Sequence, residues 1–200
     1  MDKLLKKSYV DKSQTLIFSG FTSMLDILED YCRFREYKYC RLDGNTELDD
    51  RQAQIDDYTS PGSDKFIFLI STRAGGLGLN LMTANTVILY DSDWNPQMDL
   101  QAMDRAHRIG QKKQVRVYRL ITKNTMEEKM VEKQTMKLKL DSLIIQKGRM
   151  APKNTGLQKD DLKDMVNYGA DAIFEIGSNI DEEDIEEMIR NGEEKAKNLN

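Results

Sequence analysis

The sequence predicts an α/β fold: a mostly parallel sheet with helices on both faces, followed by a long helix and a helical C-terminal extension. Three observations carry that expectation. Short apolar runs alternate with segments of helical periodicity, the pattern of a sheet covered on both sides. The runs FIFLIST (66–72) and TVILYD (86–91) are apolar almost throughout, as strands buried on both faces are. Finally, Val131, Leu138 and Ile145 fall seven residues apart and give a long later segment one narrow apolar seam.

Each element follows from its residues. QTLIFS (14–19) reads as a strand, and the segment from Thr22 to about Glu36 reads as a helix. In that helix Ser23 and Asp26 stand in capping-box spacing, and Leu25, Leu28 and Cys32 share a stripe. KYCRL (38–42) is a strand, and a helix runs from about Leu48 to Tyr58. After FIFLIST and TVILYD comes a helix over 96–107, with Asn95 as N-cap, Pro96 at the first helical position and Gly110 beyond its end. QVRVYRLIT (114–122) is the last strand. Thr125, with Glu128 three residues on, opens a helix to about Lys147. Gly148, Pro152, Asn154 and Gly156 mark a linker, and acidic amphipathic helices follow near 159–168 and 182–198. The organisation expected is therefore an α/β lobe over 1–123, a bracing helix over 124–150 and an acidic helical extension over 151–200.

Charge and composition narrow the chemistry. No apolar run is long enough to span a bilayer, so a membrane partner is not expected. Two cysteines, Cys32 and Cys40, and one histidine, His107, supply neither a disulfide framework nor a Cys/His zinc site. The formal charge of −4 conceals an asymmetry: residues 151–200 hold 6 Lys/Arg against 13 Asp/Glu, whereas residues 103–149 hold 13 against 5. A local basic surface suits a polyanion, although a solvated charged face accounts for the composition equally well.

Three stretches carry candidate chemistry. In FIFLISTRAGGLGLNL (66–81), Ser71, Thr72, Arg73 and the glycines Gly75, Gly76 and Gly78 follow a strand end, where amides, hydroxyls and a guanidinium suit phosphate oxygens. A tight glycine turn explains the same residues, since this is neither a P-loop nor a dinucleotide fingerprint. In QAMDRAHRIGQ (101–111), a continued helix puts Gln101, Arg105 and Arg108 at i, i+4 and i+7 on one face. Two guanidiniums and an amide there form a platform for a phosphate group, or a salt-bridged face with Asp104. In YDSDWNPQ (90–97), the lone Trp94 stands in a polar loop, where it either anchors the loop or meets nucleic acid. His107 has no partner and is assigned no chemistry.

In this order, SGFTSMLDILEDYC, RLDGNT with Arg51 after it, STRAGGLGLNL, DSDWNPQ and QAMDRAHRIGQ resemble the motif series of one protein group. They are similar to the second RecA-like lobe of Swi/Snf-related chromatin-remodelling ATPases, within helicase-like superfamily two. The match covers about residues 14–150. EEKMVEKQTMKLKLDSLIIQKGR and DLKDMVNYGADAIF further resemble the Imitation-Switch (ISWI) class.

The resemblance implies a RecA-like sheet and a nuclear, ATP-driven DNA translocase that acts on nucleosomes. It implies that Arg105 and Arg108 are arginine fingers facing ATP held with Mg by the first RecA-like lobe, with Gln101 ordering the same surface. Gly76, Gly78 and Asn80 would lie toward the nucleotide. Ser71, Thr72, Arg73, Gly44, Thr46 and Trp94 would line the track of double-stranded DNA, and a basic histone tail would be a further partner. The acidic extension resembles the region that restrains lobe closure in ISWI proteins. Where the family commonly has Gln, this chain has Gly20, which removes any side-chain contact from that position. Neither GxxxxGK[ST] nor DExH occurs in these residues, so the chain by itself is expected not to hydrolyse ATP. Two other classes are compatible with parts of the pattern: a non-catalytic α/β module that grips nucleic acid, and a small-molecule α/β enzyme. The second lacks a base or nucleophile near the glycine loop.

Overall fold

A computed structural model describes residues 1–74, 78–147 and 182–197. Five strands form one sheet: β1 (Thr15–Ser19), β2 (Tyr39–Leu42), β3 (Ile67–Ser71), β4 (Thr86–Leu89) and β5 (Arg116–Arg119). Their order is β2-β3-β1-β4-β5, and every pairing is parallel, with Ile17 opposite both Leu69 and Ile88. All five carboxyl ends therefore lie along one edge, where ligands of open α/β sheets gather. The helices are α1 (Asp2–Val10), α2 (Thr22–Phe34), α3 (Leu48–Thr59), α4 (Pro96–Met103), α5 (Met126–Lys147) and α6 (Glu182–Lys197).

The strand period of two sorts the core into layers. Leu16, Phe18, Phe68, Ile70, Val87 and Leu89 face Tyr58 of α3 and Ala102 of α4. On the opposite face, Ile17, Ile67, Leu69 and Ile88 meet Leu4 and Leu5 of α1 and Leu25, Leu28 and Cys32 of α2. Every residue of β1, β3 and β4 is buried, which is why their sequences read as continuous apolar runs. Burying each large side chain of this kind stabilises by about 2 kcal/mol before conformational entropy is subtracted. The edge strand β5 is half-exposed and reads correspondingly as Arg-Val-Tyr-Arg, with charge at both ends.

Several local expectations change. Helix α1 has no counterpart among the sequence-predicted elements; it is tied down by Tyr31 Oη, which donates to Asp2 Oδ1 at 2.6 Å, and by Arg35 at 2.6 Å from the same carboxylate. The capping box at Ser23 and Asp26 does not form. Phe21 is the N-cap of α2 without a side-chain bond, and Asp26 pairs with Arg41 at 2.7 Å. At α4 the cap is as expected, with Asn95 Oδ1 accepting from Gln97 N and Pro96 following it. The helix stops at Met103, however, four residues short of the predicted end.

At the start of α5, Thr125 Oγ1 accepts from Glu127 N, and Glu128 reaches back to Asn124 N at 3.1 Å. Its seam departs from the seven-residue pattern: Met130 and the polar Gln134 are buried, while Val131 and Leu138 are half-buried. The side chain of Ile145, the linker glycines and the helix expected near 159–168 lie outside the described residues. Helix α6 lies against α1, with Lys7 Nζ 3.3 Å from Glu186, and its Ile185 and Met188 line a groove with Leu4, Val117 and Tyr118.

Candidate nucleotide and nucleic-acid site

The turn after β2 is built by short polar bonds. Asp43 Oδ1 accepts from Asn45 N at 2.9 Å, and Thr46 Oγ1 accepts from Asp43 N at 3.0 Å. Arg41 braces the turn from behind, 2.9 Å from Asp43 and 2.6 Å from Glu29 of α2. Gly44 is consequently held at the exposed tip, with open space around its Cα. After β3, Thr72 N donates to Ser19 O at 2.9 Å and extends the pairing by one residue. Ser71 and Thr72 are largely buried where the strand ends, and Arg73 alone of the three is exposed. Arg51 of α3 donates to Ala74 O at 2.9 Å and supports this turn. After β4, Asp91 accepts from Ser19 Oγ and, at 2.7 Å, from Gly20 N. A Cβ at Gly20 would stand 3.2 Å from Asp91 Oδ1, so a larger residue there would require the Asp91 side chain to shift by a few tenths of an ångström. Trp94 is 44% exposed and does not anchor its loop in the core.

The arginine segment is a set of turns. Beyond Met103, Arg105 N and Ala106 N make bonds of the i→i−3 kind to Ala102 O and Met103 O, and Gly110 takes φ +103°. The expectation of Gln101, Arg105 and Arg108 on one helical face is therefore corrected. The physical reason lies in the carbonyls. Arg105 O accepts from Leu81 N at 3.1 Å and Ala106 O from Gln111 Nε2 at 3.1 Å, so tertiary donors use groups that a continued helix would spend on its next turn.

Within this segment Gln101 is exposed on the last turn of α4, Arg105 is buried and Arg108 is exposed. Arg108 Nη2 donates to Gly78 O at 3.3 Å, which brings the arginine turn onto the glycine loop. Gly78 takes φ +74°, a conformation that suits glycine, and Asn80 beside it is exposed. Gly76 lies outside the described residues. Burial, reinforced by the charge of Arg108, lowers the pKa of Arg105 from its ordinary value. The buried Nε of Arg105 has no hydrogen-bond partner. An anion arriving there would satisfy both the charge and the orphaned donor.

Sequence reasoning missed a buried polar knot that positions α4. Asp99 accepts from Asp93 N at 3.1 Å and pairs with Arg119 at 3.2 Å, and Gln134 of α5 donates to Asp93 O and to Asp99. Burial raises the pKa of Asp99, against the opposing pull of the Asp93 amide and Arg119. The only available signal was an apolar seam interrupted by glutamine. Among the described residues, no cluster of three or more His, Cys, Asp or Glu side chains could hold a metal ion.

A parallel sheet with helices on both faces, polar turns along its carboxyl edge and an arginine turn on a glycine loop define a RecA-like lobe. The chain belongs to the helicase conserved C-terminal domain family, whose model matches residues 1–110. It is 54% identical to the ISWI chromatin-remodeling complex ATPase ISW2 of Saccharomyces cerevisiae, an alignment covering 100% of this chain and 18% of that protein. It is 57% identical to the ISWI ATPase CHR17 of Arabidopsis thaliana, over 100% of this chain and 19% of the relative. Among solved structures, the C-terminal part of the Fun30 ATPase domain matches with TM-score 0.63 and 48% identity, covering 66% of this chain and 42% of that one. The chain thus spans under a fifth of the length of the ISWI relatives it matches.

Proposed function

We propose that this chain is the second RecA-like lobe of an ATP-dependent DNA translocase that remodels or slides nucleosomes in the nucleus. The observation that carries the reading is the arginine pair, a buried Arg105 with an unpartnered Nε beside an exposed Arg108 seated on the glycine loop. ATP is the substrate, held with Mg mainly by the first RecA-like lobe of the parent chain. Arg105 and Arg108 complete the site from this side and stabilise charge on the transferring phosphoryl group, with Gln101, Gly76, Gly78 and Asn80 facing the same cleft. Ser71, Thr72, Arg73, Gly44, Thr46 and Trp94 line the track of double-stranded DNA along the carboxyl edge, with Arg73 the exposed cation among the three at the end of β3. Residues 1–123 form the lobe, 124–150 brace it, and 151–200 act as an acidic regulatory extension. A basic histone tail is a further partner. The ISWI relatives, named as chromatin-remodeling ATPases, support this assignment.

The test is DNA-stimulated ATP hydrolysis by this chain joined to the first lobe of a related remodeller. Arg105→Ala or Arg108→Ala should lower the rate about a hundredfold or more, as loss of an arginine finger does. Normal hydrolysis by both variants would reject the assignment. DNA affinity indifferent to ATP, with no hydrolysis at all, would favour a nucleic-acid-binding module instead.

A further inference from the structure

We propose that Gln111 is a positioning residue that locks the glycine loop to the arginine turn, so that the DNA-facing and nucleotide-facing parts of this lobe move as one unit. The proposal rests on the functional reading above and adds a residue that it does not use. Gln111 Nε2 donates to Met82 O at 2.8 Å, Ala106 O at 3.1 Å and Ala84 O at 3.2 Å. Its Oε1 accepts from Lys113 N at 3.0 Å. One side chain thus serves backbone groups from three stretches: the segment just before β4, the turn that carries Arg105, and the chain leading into β5.

The geometry matters because neither joined segment has regular structure to hold it. Residues 79–81 and 84–85 lie in no helix or strand, and neither do residues 104–113. Two other bonds cross between them, from Leu81 N to Arg105 O at 3.1 Å and from Arg108 Nη2 to Gly78 O at 3.3 Å. The second is exposed and made by a side chain that the proposed reaction needs for ATP. When Arg108 turns to phosphate, Gln111 and the Leu81 amide remain as the directional polar links among the described residues, beside the non-directional packing of Leu79, Leu81, Ala84 and Ala106 in one core cluster. Glutamine suits the position chemically, since its amide offers two N–H hydrogens, one shared between two of the three carbonyls, and one acceptor to an N–H. Glutamate would face those carbonyls with no donor, and methionine would fill the space with neither.

The experiment uses the full-length parent chain. ATP hydrolysis is measured with and without duplex DNA, together with thermal unfolding, for Arg108→Ala, Gln111→Met and Gln111→Glu. For Gln111→Met the expected result is a DNA-stimulated rate reduced about tenfold, within the range of a lost coupling between two sites. The DNA-free rate should hold, with the unfolding midpoint lowered but still above the assay temperature. Gln111→Glu should lose stimulation in the same way, and it carries the test if the methionine variant does not fold. If both Gln111 variants keep full DNA stimulation, or lose both rates in proportion together with stability, the coupling role is overturned. Normal hydrolysis by Arg108→Ala would instead reject the underlying functional reading, whatever the Gln111 variants do.

Discussion

Arg119 Nη2 lies 3.2 Å from Oδ2 of Asp99, a carboxylate only 1% exposed, and the pair ties the edge strand β5 to the helix that leads into the arginine turn. Gln134 completes the knot, accepting from Arg119 Nη1 at 2.7 Å while its amide nitrogen donates to Asp99 and to Asp93 O. Helix α5 is thereby tied to α4 and its preceding loop by polar bonds through Gln134.

Gln134→Leu should therefore destabilise the fold, although it adds an apolar side chain to the seam of α5. It leaves Asp99, Arg119 and Asp93 O each short of a partner in a buried setting, which costs about 2 kcal/mol. Chemical denaturation measures this directly. A variant as stable as the parent would mean that the knot is dispensable.

The pH dependence of stability separates two kinds of carboxylate. Asp99 has its pKa raised by burial, against the Asp93 amide and Arg119, so it ionises less readily in the folded chain than in the unfolded one. Its stabilising contribution is present at low pH and is lost as pH rises from the ordinary carboxylate range through its higher folded value. Glu29 behaves oppositely. Burial pulls it up, but the hydrogen bonds from Tyr39 and Arg41 outweigh that and set it below the ordinary range. Its contribution is present above the unfolded value and is lost as pH falls through the lower folded one. The stability of the parent relative to Asp99→Asn should fall with rising pH over this region, and relative to Glu29→Gln it should rise. Unfolding free energies across the acid range give both slopes, and a common sign would contradict the assignment.

Both thiols should be silent in the folded chain. Burial, with the charge of Glu29 adding to it, pushes Cys32 up to about 12, and burial with Asp57 pushes Cys40 up to about 11. The thiolate is the reactive form, so alkylation at neutral pH should follow global unfolding. Labelling of either cysteine at the rate of a free thiol would show that its layer of the core opens locally.

Arg73→Ala should weaken duplex DNA binding uniformly across sequences and reduce the slope of log affinity against log salt by about 1, the signature of one lost phosphate contact. An unchanged slope would move the DNA track away from the end of β3.

The strands and most helices were legible in the sequence because their cause is local. An apolar run such as FIFLIST has one favourable placement, between two layers, and Asn95–Pro96 starts a helix by satisfying its own first turn. The short α1 was not legible, since it is held by tertiary contacts, with Leu4 and Leu5 in the core and Asp2 bound by Tyr31 and Arg35 at the end of α2. The capping box at Ser23 failed for a related reason, with Arg41 drawing Asp26 away from the helix start. Buried Gln134 escaped detection because a periodicity argument counts apolar residues, and this position is filled by a polar side chain with buried polar partners.

By itself the sequence determined the α/β class, the basic central stretch, the motif order that points to a helicase-like lobe, and Arg105 and Arg108 as candidates. Tertiary structure decided how those candidates are presented. It ended α4 at Met103, buried Arg105, exposed Arg108 and left Arg73 as the exposed residue of the Ser71–Thr72–Arg73 run. The reason is that local propensity cannot register donors arriving from distant segments. The carbonyls of Arg105 and Ala106 go to Leu81 and Gln111, and that exchange makes a pinned turn from what the spacing alone reads as a helix.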